Sequence, residues 1–218
     1  MFVADVLNLQ SEEPMKRFTP MKLSGYDYDA ISPQSFLKNV TVKSGVLELP
    51  SGMKYRLLVL PDVDAMTPQM LEKIEKLVEN GATVVGKPPV RSPSLSGYPE
   101  CDAQVKRLVE KLWGTGPATD RKVGKGRVVA GKTPSEVLTT MGIQPDFNAI
   151  QPISYIHRVL DEMDVYFVAN SDTQYVEAVC NFCVSGKTPE AWYPETGRMK
   201  PISVFEEADG CTRIPLRF

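Results

Sequence analysis

Residues Tyr55–Gly86 read YRLLVLPDVDAMTPQMLEKIEKLVENGATVVG, and this stretch decides the fold. Tyr55 to Leu60 is a short apolar run, the pattern of a strand buried on both faces. Pro61 stops it. Thr67 is suited to cap a helix and Pro68 to fill its first position, where a missing N–H costs nothing. Met70, Leu71, Ile74, Leu77 and Val78 recur at helical spacing, so one face of that helix is apolar. Gly81 is placed to end the helix, and Ala82 to Val85 forms the next buried strand. Strand, helix and strand of this length make a crossover between parallel strands, so the first part of the chain is predicted to be α/β.

The same reading extends outward from this unit. Phe2 to Leu9 is apolar enough for a first strand, and Ser11 to Ser24, with Pro14 and Pro20, is predicted to be a loop. Ser32-Pro33 opens a helix with Phe36, Leu37 and Val40 facing inward. Thr41 to Leu49 folds back at Ser44-Gly45 as a hairpin or bent edge strand. Lys87 to Glu100 is a surface loop at the carboxyl end of a parallel strand, where α/β sheets commonly bind. Asp102 to Trp113 is a second crossover helix, Gly114 to Gly126 a loop and Arg127 to Ala130 a strand. Thr133-Pro134-Ser135-Glu136 is a capping box that starts a last helix, which Gly142 ends. Beyond about Pro145 helical periodicity disappears. Ile153–Val159, Asp164–Ala169, Tyr175–Val184, Ile202–Phe205 and Arg213–Phe218 read as strands separated by turn residues.

Composition sets limits on function. The net charge of −2 gives no electrostatic case for nucleic acid or an acidic membrane. No apolar run approaches the roughly 20 residues that span a bilayer. The N-terminal MFVADVLNLQ lacks the basic start of a signal peptide. Cys180 and Cys183 form a C-x-x-C within a strand-like run, which directs the two thiols to opposite faces. With no second pair, neither a metal site nor a disulfide is expected, and the four cysteines are read as reduced packing residues.

Candidate chemistry is sparse. The turn after the first crossover strand is PDVDAMTP, whose Asp62 and Asp64 would repel phosphate. An amidotransferase-type nucleophile would sit on a sharp strand-to-helix turn, but the strands lead into Asp62, Lys87 and Lys132. The single histidine, His157, stands beside Arg158 in YIHR with no nucleophile motif nearby. It reads either as a general base or as a hydrogen-bonded structural residue at the junction of the two parts, with Arg158 as a second staple. Asp27 and Asp29 flank Tyr28 in YDYD; they read either as a glycosidase-type acid/base pair or as loop carboxylates bonding nearby backbone.

Taken in order, GYDYDAIS at 25–32, LPSGMKYRLLVLP at 49–61, MTPQMLEKIEKLVENGATVVGKPP at 66–89 and SPSLSGYP at 92–99 form a distinctive set. KLWG at 111–114, GKGRVV at 124–129, YIHR at 155–158, DVYFVAN at 164–170 and GKTPEAWYPETGRMKPI at 186–202 complete it. The set resembles the C-terminal part of glycoside hydrolase family 106 α-L-rhamnosidases. The resemblance implies a flavodoxin-like, class I glutamine-amidotransferase-like or β-galactosidase-trimerisation-like α/β domain over residues 1–148. It implies a smaller antiparallel β-sandwich-like region over residues 149–218. In that family a (β/α)8 barrel N-terminal to this region carries the catalytic carboxylates, and none of their motifs occurs here. The resemblance therefore implies a non-catalytic accessory region with the missing barrel as its partner and no cofactor or metal. It further implies full-length relatives that are secreted or periplasmic. Asp27, Tyr28, Asp29, His157 and Arg158 are then candidates for carbohydrate or interdomain contact. Two alternatives stay open: a free-standing carbohydrate-binding or assembly module, and a small hydrolase using Asp27, Asp29 and His157.

Overall fold

The structure is a computed structural model that describes residues 5–12, 23, 25–116 and 120–218. Most of the predicted 11–24 loop and the start of the predicted 2–9 strand lie outside the described residues. The chain divides into two compact units. One is the α/β unit, which ends at Ile143; the other takes in Gly25, Tyr26 and residues 144–218.

In the α/β unit the elements run β1 (Val6–Leu9), β2 (Tyr28–Ile31), α1 (Pro33–Asn39), β3 (Thr41–Lys43), β4 (Val46–Glu48), β5 (Lys54–Tyr55) and β6 (Leu57–Val59). Then follow α2 (Pro68–Glu79), β7 (Thr83–Val85), α3 (Glu100–Leu112), β8 (Asp120–Val123), β9 (Gly126–Val129) and α4 (Pro134–Thr140). Six strands form one sheet in the order β2-β1-β6-β7-β9-β8, parallel except for β8. β6, α2 and β7 are the crossover read from the central stretch, and Met70, Leu71, Ile74, Leu77 and Val78 are its buried helix face.

Local chemistry explains the helix starts. Ser32, Thr67 and Thr133 each accept a bond from a backbone N–H three residues on, with proline next in line. Glu12 adds a second layer at α2: its carboxylate accepts from the backbone N–H and the hydroxyl of Thr67, both at 2.9 Å. Glu136 closes the capping box on Thr133 at 2.7 Å. α3 begins with Glu100 and Asp102 in its first turn, favourable to its dipole, and Cys101 lies buried between them.

Four expectations need correction. Tyr55 to Leu60 is not one strand. Tyr55 ends β5, which pairs antiparallel with β4, and only Leu57–Val59 joins the parallel sheet. Arg56 separates the two; its exposed side chain interrupts the apolar run and faces Asp5. Tyr28–Ile31 is a strand rather than a loop before α1, because it pairs along the whole of β1. The predicted 114–126 loop contains β8, an antiparallel edge strand on β9. Its Asp120, Arg121 and Lys122 are exposed and charged, which protects a sheet edge and hides it from an apolar pattern search. Ile202–Phe205 is not a strand. The chain there has just left the hairpin of Glu190–Tyr193 and Arg198–Pro201, whose turn is Pro194 to Gly197.

The second unit is antiparallel throughout. Its strands are β10 (Phe147–Asn148), β11 (Ile153–Leu160), β12 (Met163–Asn170), β13 (Glu177–Phe182), β14 (Glu190–Tyr193), β15 (Arg198–Pro201), β16 (Glu206–Ala208) and β17 (Cys211–Arg217). A four-stranded sheet has the order β10-β13-β17-β16, and β11–β12 and β14–β15 are separate hairpins. One face of the four-stranded sheet buries Phe147, Ala178, Cys180, Phe182 and Ile214. The inner face of β11–β12 packs onto it through Ile153, Tyr155, Tyr166 and Val168. Phe147 lies 4.8 Å from Tyr155 and 5.2 Å from Phe182 between ring centroids, so aromatic contacts tie the two sheets together. All four cysteines carry free thiols. Cys180 is fully buried in this core, and burial pushes its thiol up to about 11.

Candidate functional site

Strand alternation turns Tyr155 and His157 of β11 to the same inner face. The tight turn at Asp161-Glu162 then fixes what lies opposite. His157 pairs across the hairpin with Tyr166, and Val159 with Asp164. The His157 and Tyr166 rings stack with centroids 4.0 Å apart. His157 Nε2 lies 2.9 Å from Asp164 Oδ1. Its Nδ1 lies 2.9 Å and 3.1 Å from the two oxygens of Asp146.

Asp146 arrives from the segment before β10, and its backbone is held on both sides. Its N–H donates to the carbonyl of Gly25 at 2.7 Å, and its carbonyl accepts from the N–H of Cys183 at 2.9 Å. Gly25 must be glycine here. It sits at φ +79°, and a Cβ would stand 2.6 Å from Pro145 Cβ and 2.7 Å from the Phe147 carbonyl oxygen. Asp146 Oδ1 also accepts the Tyr166 hydroxyl at 2.8 Å, while Lys187 donates to the second oxygen of Asp164. The result is a chain: Lys187, Asp164, His157, Asp146, Tyr166.

The charges decide its chemistry. Both ring nitrogens of His157 face carboxylates, so both must carry a proton and donate. Burial opposes the charged ring, but Asp146 and then Asp164 outweigh it and raise the His157 pKa. Burial likewise opposes ionisation of Asp164, and Lys187 and His157 reverse that, lowering its pKa. The Tyr166 phenol is driven well above its ordinary range by burial and by Asp146. Two carboxylates, one imidazolium and one ammonium sum to zero, so the cluster is neutral as a whole, with the exposed Lys187 at its solvent end. An imidazolium whose two N–H groups are both engaged has no lone pair with which to take a proton.

The remaining sequence candidates stand elsewhere. Arg158 points its guanidinium back to the His157 carbonyl at 2.7 Å. Asp27, Tyr28 and Asp29 belong to the α/β unit, at and just before β2. Asp27 accepts the Tyr28 N–H at 2.9 Å, and Asp29 accepts the buried Tyr55 hydroxyl at 2.8 Å. Asp29 is therefore a strand residue bonded to a tyrosine from another sheet, not a loop carboxylate. Burial and Asp29 push the Tyr55 phenol far above its usual range. At the carboxyl end of the parallel sheet, exposed Lys87 sits between Asp62 at 2.7 Å and Asp64 at 2.9 Å. Among the described residues no group of three or more His, Cys, Asp and Glu side chains is arranged to hold a metal ion, and no helix is long and apolar enough to cross a membrane.

The sequence pattern marked His157 but not Asp146, Asp164, Tyr166 or Lys187. Counting register from the Asp161-Glu162 turn would have placed Tyr166 opposite His157 and Asp164 opposite Val159, two pairs on and on the same face. Nothing local marks Asp146, which enters from outside the hairpin.

Comparison with known proteins agrees with this architecture. Residues 1–206 match the glycoside hydrolase family 106, alpha-L-rhamnosidase. A protein of Formosa agariphila described as "Putative beta-glucuronidase" is 41% identical over 219 residues, covering 99% of this chain and 18% of its own length. The solved structure of a rhamnosidase from Novosphingobium sp. PP1Y superposes with a TM-score of 0.88 at 33% identity, over 99% of this chain and 21% of that one. The chain thus spans about one fifth of the length of these relatives. It belongs to glycoside hydrolase family 106, the α-L-rhamnosidase family.

Proposed function

We propose that this chain is a non-catalytic accessory region of a rhamnosidase-type glycoside hydrolase, and that the bond-breaking carboxylates lie in polypeptide outside it. The observation that carries this reading is the closed His157 cluster. The most developed set of buried titratable groups in the β unit has spent its donors on its own acceptors, which suits holding a fold rather than moving protons. The carboxylates of YDYD support the same reading, since Asp29 is engaged by Tyr55.

Counting only the parallel strands in chain order, the sheet runs 2-1-3-4-5, which supports a flavodoxin-like assignment. The place where such a fold would carry an amidotransferase nucleophile leads here into Asp62 and Lys87, and Lys87 is paired with both Asp62 and Asp64. The packing of the β11–β12 inner face on the four-stranded sheet supports reading the second unit as an incomplete sandwich. The 87–100 loop, with Val90, Leu95 and Tyr98 exposed, is the part of the α/β unit we assign to contact with the catalytic polypeptide.

Purified chain incubated with 4-nitrophenyl α-L-rhamnopyranoside should release no nitrophenol above the buffer rate. Turnover that disappears in Asp29→Asn would overturn the accessory reading and restore the small-hydrolase alternative.

A further inference from the structure

The β11–β12 hairpin buries one face and carries large apolar side chains on the other. Its inner face carries Tyr155, His157, Tyr166 and Val168 onto the core of the β unit. Cross-strand register makes Ser154–Ala169, Ile156–Phe167, Arg158–Val165 and Leu160–Met163 the pairs of the outer face. Ile156 is 47% exposed, Phe167 58%, Leu160 49% and Met163 50%. An antiparallel pair with one wet face should alternate apolar in and polar out. Here the outward positions from Ile156 to Leu160 and from Met163 to Phe167 are Ile, Leu, Met, Val and Phe, broken by Arg158; polar Ser154, paired with Ala169, lies at the open end. The hairpin is also a complete two-stranded sheet among the described residues, so no further strand pairs along either edge. Lys187, bonded to the Glu162 carbonyl and to Asp164, pins the turn end of this hairpin in place. The face is therefore an ordered apolar ladder presented outward.

We infer that this outer face docks the part of the longer rhamnosidase-type polypeptide that lies outside the 218 residues. The inference rests on the accessory reading above and adds to it a partner surface on the β unit. The occupant follows from length: relatives similar to this chain over 99% of its residues continue for about four fifths of their length beyond the matched part. A strand pair buried on one face and lined by Ile156, Leu160, Met163 and Phe167 on the other is the pattern of one covered on both sides. The occupant presents an apolar surface to the Ile156–Phe167 and Leu160–Met163 pairs.

The test follows hydrogen exchange by mass spectrometry in the isolated chain and in the full-length Formosa agariphila relative. The strands aligned with β11 and β12 should exchange at least about tenfold more slowly in the relative, as covering a sheet face and its edges suppresses local opening. Sedimentation should show the isolated chain as a monomer. Ile156→Lys with Phe167→Glu should leave the melting temperature of the isolated chain within about 2 °C, since exposed positions contribute little to its fold. The same charges at the aligned positions of the relative should lower its melting temperature by clearly more. Equal exchange in the two proteins would overturn the inference and leave the accessory reading intact. A dimer of the isolated chain that the two charges dissociate would also overturn it, making a second copy the occupant. Rhamnoside hydrolysis by the isolated chain would instead remove the reading beneath it.

Discussion

Asp146→Ala should destabilise the β unit by about 3–5 kcal/mol, the cost of leaving one member of a buried ion pair without its partner. The substitution removes both acceptors of His157 Nδ1–H and the nearer acceptor of the Tyr166 hydroxyl in one step. His157 is almost fully buried, so water cannot replace those bonds without opening the interface between the β11–β12 hairpin and the four-stranded sheet. A loss of this size approaches the whole stability of a small unit, so limited proteolysis should cut residues 144–218 while the α/β unit persists. Urea unfolding monitored by Trp192 fluorescence in a Trp113→Phe background, with limited proteolysis in parallel, measures it. A cost under about 1 kcal/mol would show that the cluster contributes no more than an ordinary surface ion pair.

The pH dependence has a defined sign. His157 has a raised pKa, so the folded protein holds its proton more tightly than the unfolded chain does. That contribution is complete below the ordinary value of 6.5 and fades as pH rises through the folded value. Asp164 has a lowered pKa, so its contribution is complete above the ordinary 3.8 and is lost as pH falls through the folded value. The cluster should stabilise most between about pH 4 and 6.5, and the decline above that window should disappear in His157→Gln.

Gly126→Ala should be comparably damaging in the α/β unit, for a steric reason alone. Gly126 does not need a left-handed backbone, but a Cβ there would lie 2.2 Å from the Ala82 carbonyl oxygen and 2.4 Å from that of Val78. Both are backbone atoms at the junction of α2 and β7, and neither can swing aside as a side chain would. The clash must separate the start of β9 from the crossover it packs against. Overpacking usually costs about 1–3 kcal/mol, and contact with fixed backbone places this case at or beyond the upper end. Gly116→Ala, which meets nothing within 4 Å, is the matched control and should be neutral within about 0.5 kcal/mol. Equal stability of the two variants would mean that β9 is not held against the crossover as described.

The parts of this fold that could be read from sequence are those set by neighbours along the chain. Ser32, Thr67 and Thr133 announce their helices because a cap, a proline and an apolar stripe occur within a few residues of one another. The hairpin at Ser44-Gly45 is equally local: both residues adopt positive φ, as its tight turn requires. β8 was hidden because an edge strand of Asp, Arg and Lys has no apolar period. β14 and β15 were hidden for a related reason, since their residues are almost all exposed and no buried face imposes alternation. The His157 cluster was half legible. Its hairpin members follow from register, but Asp146 comes from an irregular segment and is positioned by Gly25 and Cys183, far away in sequence.

The central claim is that His157 is a doubly bonded imidazolium that holds the β unit together and does no chemistry. Because the chain has a single histidine, its ring signals in a nitrogen-15 NMR titration need no assignment by mutation. The account predicts that the ring titrates above the ordinary 6.5 and that below that value both ring nitrogens carry protons, each in slow exchange with water. A ring that titrates at or below 6.5 would contradict it and return His157 to the list of possible bases.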